Sequence, residues 1–304
     1  MLTWERLRVF AAVAHHGSVG AAADALHVTG PAVSQHLRRL EKEAGCRLVE
    51  PEGRGIRLTH AGRILAATAQ QMATAASHAA RDLATISGLV AGPLRVGAVA
   101  SALRALIPQA LQRLQESYPR LEPEVWDGEA AEMIPSLRTG QLDAVVMESW
   151  AHCPARIPPG IRTTPLVHEN ALLAVHERHP LAHLDTVPLS SLHGQVWATC
   201  APGSDAHQAL VQLLNSHRVT DMKVRYCVAD YATQLQLVAS GLAAALVPSM
   251  AIPAAHEGVR LIPCRPAVTR TVAVATAHGT ETPPIHAFIA EMKRAGQHQY
   301  AGER

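Results

Sequence analysis

Between Ser18 and Arg39 the chain reads SVGAAADALHVTGPAVSQHLRR, and its polar side chains are of the types that read base edges. Gln35 and His36 offer donors and acceptors, Arg38 and Arg39 carry guanidinium groups, and Ser34 adds a hydroxyl. Such groups work only on a rigid support that turns them to one side. Val33, Leu37 and Leu40 recur at spacings of four and three, so one face of a helix packs inward and leaves those polar residues largely outward. Thr29 or Gly30 stands at the capping place, and Pro31 at or next to the first helical position, where a missing N–H costs nothing. A shorter helix precedes it, with Ser18 as N-cap, Val19 as its first residue and a small apolar face of Ala21, Ala22, Ala25 and Leu26. His27, Val28 and Thr29 form the turn. The pattern predicts a helix-turn-helix over about residues 19–38 whose second helix enters the major groove of double-stranded DNA.

The flanks are the elements that must hold this pair. Upstream, Leu2, Trp4, Leu7, Phe10, Ala11, Val13 and Ala14 make an amphipathic helix able to cover it. Downstream, residues 47–49 and 56–58 read as two strands joined by a turn over residues 51–55, with Arg54 at the tip. A guanidinium there reaches the minor groove or a phosphate.

The run Leu26-His27-Val28-Thr29-Gly30-Pro31-Ala32-Val33-Ser34 is followed by Leu37, by Arg38-Arg39-Leu40-Glu41 and by Gly45. With Arg57-Leu58-Thr59-His60-Ala61-Gly62, it resembles the signature of LysR-type transcriptional regulators over about sixty residues. The resemblance implies a winged helix-turn-helix, a linker helix and a two-lobed α/β effector domain of the periplasmic-binding-protein kind. It also implies a homodimer or homotetramer that answers to a small-molecule effector and works with RNA polymerase. Three positions depart from the family pattern. Gly30 stands where a base-contacting glutamine is usual, so base reading leans on Gln35, His36 and Arg38. Val49 replaces a phenylalanine, and Pro51 an arginine.

Composition narrows the reading. The 304 residues suit two or three domains, and the formal net charge of +2 is weak for a nucleic-acid binder. DNA affinity is therefore expected to be salt-sensitive and to depend on dimerisation. The first residues lack a basic region followed by an apolar core, and no uncharged run is long enough to span a membrane, so a cytoplasmic protein is expected. The five cysteines, Cys46, Cys153, Cys200, Cys227 and Cys264, are scattered without a CxxC pair, which fits reduced thiols. A redox-responsive regulator of the same fold is the alternative, as is a constitutive DNA binder without effector. Cys200 follows an expected strand, but the next cysteine is Cys227. His176, His179 and His183 have spacings of three and four, yet Pro180 interrupts any helix that would align them, so no metal site is expected. No nucleophile elbow, phosphate loop, HExxH or dinucleotide glycine fingerprint is present, and neither enzymatic activity nor a cofactor is expected.

From Thr59 to about Val90 the chain is alanine-rich and free of proline. Ala61, Leu65, Thr68, Met72, Ala75, Ala79, Leu83, Ile86 and Val90 form a seam of threes and fours, predicting a long dimerisation helix. Beyond Gly92 and Pro93, strand-like and helical stretches alternate, as in a mostly parallel α/β sheet. A single helix is expected over residues 102–117, with short strands at 142–147, 172–175 and 271–276. The domains are expected at 1–59 (winged helix-turn-helix), 60–91 (linker helix) and 92–304 (effector domain). Within the last, one lobe takes about 92–160 and 268–300 and the other about 161–267. Ligands of such sheets sit at the carboxyl ends of strands, often against helix N-termini. That rule selects Ser101, whose hydroxyl and neighbouring backbone are suited to a carboxylate. It also selects Asp127, Gly128, Glu148, Ser149, Pro202, Gly203, Ser204, Asp205, Asp230 and Tyr231 as effector contacts. Few basic residues surround these positions, so a multiply charged anion is not expected.

Overall fold

The computed structural model describes residues 3–53, 55–86, 88–253 and 256–301. The chain divides into two compact units, residues 1–83 and 84–304.

The first unit begins with α1 (Trp4–His16), α2 (Val19–Ala25) and α3 (Gly30–Ala44). Gly17, at φ +66°, ends α1 in the left-handed conformation that glycine tolerates. Ser18 caps α2, its Oγ accepting from the Ala21 N–H at 3.1 Å. Phe10, Val13, Ala22, Val33 and Leu40 are fully buried, and the small Ala22 and Ala23 let the helices approach closely. A hairpin follows, β1 (Val49–Glu52) with β2 (Gly55–Leu58), and then α4 (His60–Ile86). The strands reach further than expected: Glu52 pairs with Gly55, so the turn lies between them, with Gly53 at φ +58°. A two-residue turn with a left-handed first position matches the twist of paired strands. Arg54 lies outside the described residues. The helix α4 spans about 40 Å. It stops at Ile86, short of Val90, because Gly88 takes φ +65° and breaks the helical run.

The second unit opens with β3 (Gly92–Ala98), α5 (Ala100–Ala105), α6 (Ile107–Ser117), β4 (Leu121–Asp127), α7 (Ala130–Thr139) and β5 (Ala144–Trp150). The single helix expected over residues 102–117 is two. Pro108 has no N–H to give, and its ring would meet the Arg104 carbonyl, so the chain bends at Leu106. Next come β6 (Ile161–His176), β7 (Val187–Pro188), β8 (Val196–Thr199), α8 (Asp205–Ser216), β9 (Lys223–Cys227) and α9 (Tyr231–Ala239). β10 (Ala244–Pro248), β11 (Val259–Ala277) and α10 (Pro283–Ala301) close the chain.

The strands join in the order β4-β3-β5-β11-β6-β10-β8-β9, with β7 paired to β11. β3 runs parallel to β4 and β5, and β8 parallel to β9 and β10. β6 and β11 lie antiparallel between these two groups and carry the chain from one lobe to the other. Both are much longer than the short strands expected from hydrophobic runs. Outside those runs buried residues such as Val167, Ile262 and Cys264 alternate with exposed ones, and β11 shifts register between Pro263 and Val268, so a continuous hydrophobic run marks only part of each strand. One lobe packs its core around Leu94, Val96, Leu114, Val274 and Phe288, the other around Leu173, Trp197, Leu214 and Val247. Among the described residues no helix is long and apolar enough to cross a membrane.

Candidate functional site

In the first unit α3 turns Pro31, Gln35, Arg38 and Arg39 to the outside, and Thr29 stands exposed at its start. Ser34 and His36, read from sequence as outward, are half-buried. At 100° per residue they flank the Val33–Leu37–Leu40 stripe, whereas Gln35, Arg38 and Arg39 lie opposite it. The His36 Nδ1 is enclosed without a partner among the described residues. Thr29 takes the N-cap position with extended backbone, but its side chain makes no capping bond. Gly30 begins the helix, and a Cβ there meets nothing within 4 Å. The Glu41 carboxylate, at the far end of α3, accepts from the Leu48 and Val49 N–H groups at 2.9 and 3.3 Å and so fixes the hairpin to the helix. In the hairpin, Arg57 is held by Glu50 at 2.9 Å.

The seam of α4 divides. Ala61 and Leu65 turn into the core of their own unit with Leu7, Phe10, Leu40 and Leu48, while Met72 and Leu83 are exposed. Gly62 crosses the hairpin so closely that a Cβ would sit 2.0 Å from the Leu48 carbonyl oxygen.

In the second unit the carboxyl ends of β3, β4, β5 and β8 meet at a cavity of about 140 Å³. Its wall brings together Ser101, Asp127, Gly128, Glu148 and Tyr231 from the sequence expectation, and adds Glu129, Glu132 and Cys200. Gly203 and Asp205 line a neighbouring groove of about 540 Å³, with Ala130, Ile134, Met147 and Arg156. Four expected residues, Ser149, Pro202, Ser204 and Asp230, are not in either wall. Ser149 accepts from the Ala155 N–H at 3.1 Å, Pro202 is exposed, and Ser204 caps α8 by accepting from the His207 N–H at 3.2 Å. Asp230 caps α9 through Thr233 and forms an ion pair with Arg104, joining the two lobes at the surface. Burial opposes ionisation of Asp230, but the Thr233 hydrogen bonds and the Arg104 charge bring its pKa below the ordinary value.

Behind the cavity lies a group that sequence reading missed. Arg270, on β11, donates Nε to Glu169 at 2.7 Å, Nη1 to Glu148, and Nη2 to the Ser101 Oγ at 3.1 Å. Glu169 also accepts from the Met250 N–H at 2.6 Å, and Glu148 from the Trp150 indole at 3.2 Å. The available signal was a lone arginine in the apolar run around residues 268–276, since a charge in a buried strand requires partners. The Ser101 hydroxyl is thus engaged by Arg270, and the cavity surrounding it is acidic. Burial pushes the Glu129 carboxyl up to about 7, helped by Glu148, Asp205, Glu132 and Asp127. Burial also pushes the Cys200 thiol up to about 12, reinforced by Glu148 and Glu129. His176 and His179 serve local turns, accepting through Nδ1 from the Arg178 and Leu181 N–H groups at 3.1 and 3.2 Å.

Comparison with known proteins gives this geometry a lineage. Residues 4–63 match the model of bacterial regulatory helix-turn-helix proteins of the lysR family, and residues 87–297 match the LysR substrate binding domain. Escherichia coli proteins named OxyR and hydrogen peroxide-inducible genes activator are each 28% identical over 305 residues, 95% of this chain and 94% of theirs. A full-length OxyR variant from Pseudomonas aeruginosa superposes with a TM-score of 0.71 at 23% identity, covering 96% of this chain and 98% of its own. Full-length CbnR complexed with its target DNA has the same fold, with a TM-score of 0.71 at 22% identity over 97% of this chain and 100% of that one. The chain belongs to the LysR family of DNA-binding transcriptional regulators.

Proposed function

We propose that this regulator grips operator DNA with α3 and that a small effector bound between the lobes sets how two such grips are spaced. Gln35 and Arg38 read base edges in the major groove. Thr29, Pro31 and Arg39 approach the backbone, with Ser18, Gly30, Ser34 and His36 supporting the helix, and Arg54 reaches from the hairpin tip. Dimerisation runs through the exposed part of α4, with Met72 and Leu83 in the seam, as a homodimer or homotetramer. The protein acts in the cytoplasm, at promoters where RNA polymerase is its partner, and catalyses no reaction. The observation that carries the effector reading is the cavity at the carboxyl ends of four strands from both lobes, walled by Ser101, Asp127, Gly128, Glu148 and Tyr231. Footprinting on the promoter beside its own coding sequence, with and without candidate metabolites, tests it. A footprint whose spacing no metabolite alters leaves only constitutive binding.

A redox reading draws on Cys200 in the cavity wall and on relatives named hydrogen peroxide-inducible genes activator. Its chemistry is disfavoured here. The thiolate is the reactive form, and a thiol raised to about 12 supplies almost none at neutral pH. The next cysteine, Cys227, sits in register with Thr199 on the neighbouring strand and is exposed, whereas Cys200 is buried. Peroxide is expected to leave the operator affinity of the unmodified chain unchanged in a gel shift; a peroxide response of that chain that Cys200→Ser abolishes would restore the redox reading.

A further inference from the structure

The hairpin that follows α3 has two chemically distinct faces. Side chains alternate along paired strands. Val49 and Leu58 pack with Leu7, Phe10 and Leu48, and Ile56 packs with Val13 and Val33, so Glu50, Glu52 and Arg57 share the outer face. Glu50 stands opposite Arg57 in the strand register, and its carboxylate accepts from the Arg57 Nη2 at 2.9 Å. Glu52, two residues along the same face, brings a second carboxylate to 4.0 Å from the Arg57 Nε. Two acids and one base leave this face with a net negative charge among the described residues. On α3 the arrangement is the reverse: Arg38 and Arg39 are exposed and form no ion pair among the described residues. Duplex DNA is a polyanion, and a guanidinium serves it best when free to take a phosphate. The Arg57 cluster contributes little to folding, because roughly half or more of each side chain is open to solvent.

Resting on the reading that α3 and its hairpin grip duplex DNA, we propose that Glu50 and Glu52 limit the strength of that grip. They withhold Arg57 from the phosphate backbone and add like-charge repulsion against it. The restraint acts on the backbone and not on base edges, so it lowers affinity for operator and for unrelated duplex alike. A single unit is thereby left a weak binder, and firm binding comes from two units engaging one site together.

Fluorescence anisotropy of the full chain, measured over a range of salt concentrations, tests this on two labelled duplexes. One is taken from the promoter beside its own coding sequence and the other is a scrambled sequence of the same length. In the double variant Glu50→Gln with Glu52→Gln, Arg57 is released to a phosphate. Both duplexes are then expected to bind about fivefold more tightly at physiological salt, with the slope of log K against log salt steeper by about one. Adding Arg57→Gln to the double variant is expected to remove the extra slope. An unchanged slope in a double variant that melts at the same temperature as the unmodified chain would overturn the proposal. Weaker binding to the promoter duplex alone would also overturn it, since the two carboxylates would then be readers of cytosine amino groups. Equal binding of both duplexes by the unmodified chain would count against the reading of α3 instead, and the slopes would still decide the role of the carboxylates.

Discussion

Arg270 is the residue whose loss would be felt most. Replacing it with Met leaves Glu148 and Glu169 buried without their counter-charge, and breaking such a group costs about 3–5 kcal/mol. Denaturant unfolding at neutral pH is expected to show that loss. Glu129 gives a gentler and pH-dependent signal. Its folded pKa of about 7 lies above the ordinary 4.5, so the folded chain holds this proton more tightly than the unfolded one. That stabilisation is full below about 4.5 and is lost as pH rises through about 7. Glu129→Gln is therefore expected to stabilise the protein at pH 8 by on the order of 1 kcal/mol, a figure reduced because the group stays partly open to solvent. The two proteins should converge near pH 4 in thermal melts. At the DNA-reading end, Gly30→Gln has open space for its side chain, so it should fold normally and change operator preference in a gel shift. Much of this scale was legible. Ser101, Asp127, Gly128, Glu148 and Tyr231 follow from strand ends alone, because the rule that ligands gather there depends only on element order. Arg270 and Glu169 stayed hidden because strand pairing, not spacing, brings residues 101 and 169 apart in sequence to one guanidinium.

Among the elements, the helix-turn-helix was clearest, since caps, small residues and a four-three stripe all agree on it. Boundaries set by proline and glycine were less so. Pro108 divides one expected helix into α5 and α6, and Gly88 ends α4 before Val90. The docking of α4 onto the hairpin depends on a missing side chain. Gly62→Ala would press a methyl group against the Leu48 carbonyl, and a cost of about 1–3 kcal/mol, of the size seen for overpacking, is expected in unfolding of the full chain. Further along, Leu83 is 68% exposed, on the part of α4 proposed as the dimer seam. Leu83→Glu is expected to shift the protein towards monomer in light scattering and to weaken operator binding at physiological salt. An unchanged mass would move the dimer interface elsewhere.

At the scale of the molecule, paired DNA-binding units are expected to contact half-sites about 34 Å apart or multiples of that. In the proposed function, effector binding acts by favouring one arrangement of the lobes over another. The Arg104–Asp230 pair joins them at the surface, half exposed and hence weak on its own. The deeper tie is the pair β6 and β11, whose ladder runs from Ile161 opposite Ala277 to His176 opposite Val259. Two antiparallel strands bonded to each other along such a length behave like a leaf spring. A hydrogen-bonded ribbon of that kind bends more easily than it stretches, so it is expected to let the lobes rock about it rather than slide apart. Its irregular registers, at Pro263/Val268 and Val272/Ala273, bracket Arg270. Any rocking centred there is transmitted directly to the guanidinium that holds Glu148, and from Glu148 to whatever occupies the chamber beside it.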